Sequence, residues 1–153
     1  GTVLILKLVE ALRRTNVDFD AARAFAKAYD QAEWEKQIHA AYGPAAQGVI
    51  DMEAKAQKNE VSAHLKRVDA MEAHWGEITE LLEALPASET VKELLKSLDS
   101  PYLPGQIDID AKMLKNTFLY AKEVRARYTI LQMVWDLGLL DSLSDEVIAE
   151  VSE

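Results

Sequence analysis

The 153-residue sequence contains no cysteine, only six glycines and four prolines, and few aromatic residues. Without cysteine the chain has no disulfide, thiolate zinc site, iron–sulfur cluster or cysteine nucleophile. The scarcity of turn-forming residues disfavours sandwiches and barrels built from many strands. No apolar run approaches the roughly 18 residues that a membrane-spanning helix needs. These absences predict a helical domain without a membrane span, and the lack of cysteine fits a cytoplasmic location.

Acidic residues outnumber basic ones by 26 to 17, which gives a net charge of −9 and disfavours nucleic acid as a partner. One stretch, 112–127, reverses this balance with five basic residues and one acidic residue. On a continuous helix, Lys115, Lys122 and Arg125 lie within about 80° of one another. Such a face suits an anionic ligand. The alternative is that these cations form surface salt bridges to the acidic remainder.

Helical periodicity runs through almost the whole chain and predicts an all-α fold, a single bundle-like domain of seven to nine helices. The first helix, over 3–13, is apolar nearly all round and must therefore be covered on most sides. The strongest pattern lies in 61–85, where apolar residues recur every seven positions and predict one long helix.

Local signals predict where the helices begin and end. Asp18, Asp30 and either Asp108 or Asp110 are candidate N-caps. Gly43-Pro44 and Gly138 are expected to end helices. We also expect Ser88 to cap a helix that runs to Leu98, a break near 125–129 with Thr129 as the next cap, and a terminal helix that opens at Ser144.

Motifs that carry chemistry are scarce. There is no phosphate-binding glycine loop and no serine nucleophile elbow. Glu60 and His64 share a helix face, but two ligands do not make a metal site. We interpret His64 as a buried histidine with a polar partner, and His39 and His74 as surface residues. No catalytic residue and no metal ligand is assigned. The C-terminal acids are expected to form a solvated face: Asp141, Asp145, Glu146, Glu150 and Glu153.

One segment is distinctive. It reads Leu119-Tyr120-Ala121-Lys122-Glu123-Val124-Arg125-Ala126-Arg127-Tyr128-Thr129-Ile130-Leu131, followed by Asp136-Leu137-Gly138. It resembles the C-terminal signature of bacterial-type glycerol-1-phosphate dehydrogenases, which belong to the dehydroquinate synthase-like, iron-containing alcohol dehydrogenase superfamily. Less specific pieces upstream resemble the same family in the same order, so the resemblance covers nearly the whole chain. They are 34–43, 53–58, 67–75 and Ser100-Pro101.

The resemblance implies a two-domain enzyme that reversibly transfers hydride between dihydroxyacetone phosphate and sn-glycerol 1-phosphate. In the family an N-terminal α/β domain binds NAD(P), and a divalent metal held by one Asp and two His polarises the carbonyl. No residue here matches those ligands. Residues 1–153 are therefore expected to be one helical domain that lacks its dinucleotide-binding partner domain and binds neither cofactor nor metal alone. The resemblance makes four residues candidates for substrate-phosphate or cleft-edge binding: Lys122, Arg125, Arg127 and Tyr128.

Two other interpretations stay open. In the first, the chain is a stand-alone helical interaction or dimerisation module in which 61–85 forms the contact surface. In the second, it is a small helical sensor of a metal or another ligand. A homodimer is also left open. The dehydrogenase interpretation is distinguished by an expected exposed apolar surface on residues 3–12, where the missing domain would sit.

We expect the purified 153-residue chain to be catalytically silent, because no dinucleotide-binding motif and no ligand set occurs in its sequence. The measurement is the absorbance of NADH or NADPH mixed with dihydroxyacetone phosphate, a divalent metal and the chain. A rate above that of the protein-free mixture would contradict this expectation.

Overall fold

The computed structural model describes residues 1–151, and within them it contains ten α-helices, three short 3₁₀ turns and no strand. The predicted all-α, single bundle-like domain is confirmed. If the two helices that divide 61–85 are taken as one, the count falls to nine. The helices are α1 (Thr2–Arg14), α2 (Phe19–Lys27), α3 (Gln31–Tyr42), α4 (Ala46–Ala56), α5 (Val61–Ala73), α6 (Trp75–Glu83), α7 (Ser88–Ser97), α8 (Ala111–Tyr120), α9 (Ile130–Asp136) and α10 (Leu140–Val151).

Helix α1 lies at the centre of the main core, because α6, α7, α9 and α10 all pack against it. This is the cover that its nearly all-round apolar sequence predicted. The expectation of an exposed apolar surface on 3–12 is wrong: the chain's own helices bury most of these side chains. The buried ones are Val3, Leu6, Leu8, Val9, Ala11 and Leu12.

A second, smaller core joins α3 to α4. Trp34 and Ile38 of α3 pack with Ala46 and Val49 of α4. Tyrosines lie around this cluster, and Tyr42 donates a hydrogen bond of 2.6 Å to the Tyr120 carbonyl. The contact fixes the end of α8 against the α3–α4 pair. The two cores therefore meet at the segment that follows Tyr120.

Most of the predicted helix boundaries are confirmed. Asp18, Asp30, Asp110 and Thr129 each accept a hydrogen bond from a backbone N–H in the first turn of the helix that follows. Gly138 adopts a positive φ of 72° after α9. A Cβ at this position would lie 3.1 Å from the Phe25 ring, so both conformation and space require glycine.

Three boundary predictions are wrong. The helix predicted over 61–85 is divided at His74, so that α5 packs on α2 while α6 packs on α1. Ser88 does not cap α7; its N–H and its hydroxyl both donate to the Glu10 carboxylate, at 2.7 and 2.8 Å. The terminal helix opens at Leu140 rather than at Ser144, which is buried within it.

The acidic face of α10 is exposed, as predicted, but it is also paired with basic residues. Lys115 lies against Asp141 and Asp145, while Lys7 and Arg14 pair with other acids of the helix. Glu153 lies outside the described residues. Among residues 1–151, none of the helices has the length and apolar character needed to cross a membrane.

Candidate functional site

The segment between α8 and α9 brings charged side chains into the interior. Helix α8 stops at Tyr120, a 3₁₀ turn covers Ala121–Glu123, and residues 124–129 run as a loop to the Thr129 cap of α9. In this turn Lys122 and Glu123 are both only 3% exposed. Burial of two charges is costly unless each finds a partner. The neighbouring side chains supply these partners.

The Glu123 carboxylate accepts hydrogen bonds from four side chains. Lys122 and Lys58 donate through their ammonium groups. Trp34 donates through its indole N–H at 3.2 Å, and the Asn59 amide donates to both carboxylate oxygens at 3.1 Å. Burial opposes the charged form of Glu123, but the two ammonium groups outweigh it and hold its pKa below the ordinary value. Glu123 is therefore ionised at neutral pH.

Asp136, at the end of α9, is the second buried acceptor. Arg67 binds its carboxylate through two nitrogens, at 2.6 and 2.7 Å. The Tyr128 hydroxyl donates to it at 3.1 Å. Gln132 donates both to Asp136 and to Asn59, and so links the two carboxylate centres. We call this set the buried charge network: Glu53, Lys58, Asn59, Arg67, Lys122, Glu123, Gln132 and Asp136.

Three cations and three carboxylates balance one another in this network. Glu53 accepts the Asn59 backbone N–H at 2.6 Å, and burial raises its pKa despite that bond and the nearby Lys58. In the described residues, buried side-chain atoms without a hydrogen-bond partner occur on Glu53, Gln132 and His64. The network therefore keeps unused acceptor atoms in its interior.

His64 borders the network and is fully buried. Its Nε2 donates to the Asp136 carbonyl at 2.8 Å, and its ring stacks on Trp135 at 4.7 Å. Burial lowers its pKa, so the ring is neutral at neutral pH. The interpretation of His64 as a buried histidine with a polar partner is confirmed. His39 and His74 are exposed, as predicted.

An open cleft of about 380 Å³ lies beside the turn. We call it the aromatic cleft; its lining includes Phe25, Trp34, Tyr120, Lys122, Glu123 and Trp135. The Lys122 Nζ lies 4.1 Å from the centre of the Trp135 ring, a cation–π contact. A neighbouring pocket of about 220 Å³ shares Phe25, Trp34 and Trp135.

The predicted basic helix face does not form, because α8 ends before Lys122. Lys115 instead donates to the Asp141 carbonyl and to Asp145, both at 2.6 Å, on α10. Arg125 and Arg127 are exposed on the 124–129 loop. Tyr128 is 54% exposed, although its hydroxyl reaches Asp136. The four candidate residues therefore share one segment, with Lys122 inside it and the arginines outside.

Sequence reasoning missed the partners of these residues. One readable signal was present: Gln132 and Asp136 are four residues apart and are the polar members of an otherwise apolar α9. Lys58, Asn59 and Arg67 gave no comparable signal.

Within residues 1–151 no three His, Asp or Glu side chains are grouped so that they could hold a metal. Searches against family models, curated proteins and solved structures found no match.

Replacing Glu123 with Gln is expected to destabilise the chain by about 3 kcal/mol, because it leaves the buried ammonium group of Lys122 and the half-buried one of Lys58 without their shared counter-ion. The measurement is urea unfolding at pH 7. Glu93→Gln, which removes an exposed pair with Lys96, is the matched control and should cost less than about 1 kcal/mol.

The difference between the two variants should depend on pH. The pKa of Glu123 is lowered by folding, so its contribution is present at neutral pH and is lost as the pH falls through the folded-state value. Equal losses for both variants at pH 7 would show that the buried charge network does not stabilise the fold.

Proposed function

We propose that this chain is the helical domain of a cytoplasmic, NAD(P)-dependent dehydrogenase of the glycerol-1-phosphate type, in which the 124–129 loop binds the phosphate of dihydroxyacetone phosphate. One observation carries the proposal. The segment that resembles the family is also the segment that the buried charge network holds in place, and it presents Arg125 and Arg127 to solvent.

The two arginines suit a phosphate dianion. Neither forms an ion pair within the described part of the chain, although the whole sequence carries a net charge of −9. A guanidinium group donates two parallel hydrogen bonds to phosphate oxygens. The loop that carries them is anchored at Glu123 on one side and through Tyr128 to Asp136 on the other. Anchoring of this kind lowers the entropy lost when the loop orders on a ligand.

Lys122 and Tyr128 take different roles in this proposal. Lys122 lines the aromatic cleft, whereas the Tyr128 hydroxyl is engaged by Asp136 and positions the loop. The family's metal ligands do not fit the residues described here: His64 Nε2 is bound to the Asp136 carbonyl, His39 and His74 lie on the surface, and no group of three ligands occurs within residues 1–151. In this proposal the hydride-transfer machinery belongs to the partner domain, and this chain binds and orients the phosphate.

The test uses an enzyme in which this domain is joined to a dinucleotide-binding domain. Replacing Arg125 or Arg127 with Gln is expected to raise the KM for dihydroxyacetone phosphate roughly tenfold or more, which corresponds to loss of one charge-assisted hydrogen bond. The KM for dihydroxyacetone, which lacks the phosphate, should not change.

Arg13→Gln is the matched control, because Arg13 is exposed on α1, far along the chain from the loop. If the loop variants change the KM for both ketones equally, the arginines do not bind the phosphate. If no dinucleotide-binding domain is encoded together with this chain, the dehydrogenase proposal is wrong.

A second function, a helical dimerisation module, is favoured by one surface. Leu81 of α6 and Leu94 of α7 are 71% and 58% exposed, and Leu85 and Leu98, which follow the ends of these two helices, are exposed as well. The seam first expected in 61–85 is not free, because Val68, Met71 and Leu82 fill the chain's own core.

If the chain dimerises through α7, the double substitution Leu94→Glu and Leu98→Glu should convert the dimer to a monomer in sedimentation velocity. Met113→Glu, at an exposed apolar residue of α8, is the control and should leave the dimer intact. A wild-type chain that is monomeric at all concentrations tested would eliminate this second function.

A further inference from the structure

The aromatic cleft has the dimensions and walls of a small-molecule site. Its volume of about 380 Å³ falls within the range of about 300–1,000 Å³ that is typical of ligand pockets. Phe25 of α2, Trp34 of α3 and Trp135 of α9 supply flat apolar surfaces from three separate helices. Flat rings of this kind favour a ligand that is itself flat and apolar over most of its surface.

A single amine lines this cleft. Lys122 is 3% exposed, its Nζ lies over the Trp135 ring, and it donates to Glu123. Lys58 donates to the same carboxylate, so two ammonium groups share one counter-ion. A lysine that is desolvated in an apolar pocket, or placed beside a second cation, loses its proton more readily and becomes a nucleophile. Lys122 meets both conditions.

The charged groups that face Lys122 act in opposite directions. Burial lowers the pKa of Lys122 to about 8; Glu123 and Asp136 oppose this shift, while Lys58 reinforces it. At pH 7 roughly a tenth of such an amine is neutral, compared with less than about a thousandth of an ordinary lysine whose pKa is near 10.4. Lys115, by contrast, has a raised pKa because Asp141 and Asp145 hold its proton.

We propose that the aromatic cleft binds small aromatic aldehydes and that Lys122 condenses with them to form an imine. Deprotonated Lys122 attacks the carbonyl carbon through Nζ, forming a C–N bond and a carbinolamine. The carbinolamine oxygen then leaves as water with two protons, one from Nζ and one from solvent. The nitrogen is left in a C=N bond as a protonated imine, whose counter-ion is the ionised Glu123. No oxidant or reductant takes part, and the step does not rest on the proposed dehydrogenase function.

The charge of the cleft narrows the ligand class. Lys122 is paired with Glu123, and Asp141, which also lines the cleft, is paired with Lys115. An aldehyde that carries a carboxylate or phosphate would therefore find no unpaired cation among the lining residues. The cleft therefore favours uncharged aldehydes, of which benzaldehyde is the simplest probe.

The experiment is reductive labelling of the whole chain with benzaldehyde and sodium cyanoborohydride, in which hydride from the reagent converts each imine to a stable benzylamine. Peptide mass mapping then reports the labelling rate of each lysine. At pH 7 we expect Lys122 to be labelled at least tenfold faster than any of the other ten lysines of the sequence. Its rate should level off above a pH of about 8.

Two comparisons separate binding in the cleft from general reactivity. Benzyl alcohol, which occupies the cleft without reacting, should slow labelling of Lys122 and leave exposed Lys36 unchanged. Lys115→Arg should retain fast labelling, whereas Lys122→Arg, checked for helical content by circular dichroism, should lose it. The wild-type map alone decides the outcome if Lys122→Arg does not fold. Uniform labelling, or labelling of Lys122 more slowly than of surface lysines, would overturn the proposal.

Discussion

The Glu123 carboxylate receives hydrogen bonds from three separate parts of the chain. Trp34 lies on α3, Lys58 and Asn59 lie between α4 and α5, and Lys122 precedes it in the 3₁₀ turn. Trp34, Asn59 and Lys122 are buried, whereas Lys58 is half-buried. Moving the turn outward would leave a carboxylate and at least one ammonium group unpaired in the interior, which costs several kcal/mol. The turn is therefore held in one position, and with it the end of α8 and the start of the 124–129 loop.

Asp136 makes the same kind of connection at the other end of the loop. Its bidentate pair with Arg67 ties α9 to α5, and its bond from Tyr128 ties α9 to the loop. Gln132 joins the two centres through Asn59. The loop is consequently fixed at both ends while Arg125 and Arg127 between them stay in solvent. This arrangement gives exposed positive charge a defined place in an otherwise acidic chain, which is the physical basis of the proposed phosphate site.

The features predictable from sequence are those whose causes are local. An aspartate side chain reaches a backbone N–H two or three residues ahead, so the caps at Asp18, Asp30 and Asp110 follow from the sequence alone. The break predicted near 125–129 coincides with the loop that leads to the Thr129 cap, but α8 already ends at Tyr120, and this earlier end was not predicted. The sequence of α1 predicted that this helix must be covered on most sides. It did not predict which elements would cover it. The chain's own α6, α7, α9 and α10 do so, and the surface expected there for a missing domain is absent.

Pairings in the buried charge network were not predictable in this way. Glu123 meets Asn59 across 64 positions and Trp34 across 89, and no periodic signal links residues so far apart. On a helix that continued past Tyr120, Lys122 would lie on the face expected to include Lys115 and Arg125. Once α8 ends at Tyr120, both side chains turn inward, and the expected shared face of Lys115, Lys122 and Arg125 is lost. A break was predicted near 125–129, but the end of α8 at Tyr120, which determines the direction of these side chains, was not.

Stability alone does not explain why such a network occupies the interior. Replacement of a buried ion pair by apolar side chains of similar volume is often neutral or even stabilising, although removal of one partner is costly. The arrangement here does more than fill space: it desolvates one lysine, places a second ammonium group against the same carboxylate, and leaves the amine beside an open cleft. An apolar core would offer no amine. The proposed imine chemistry would use this position of Lys122.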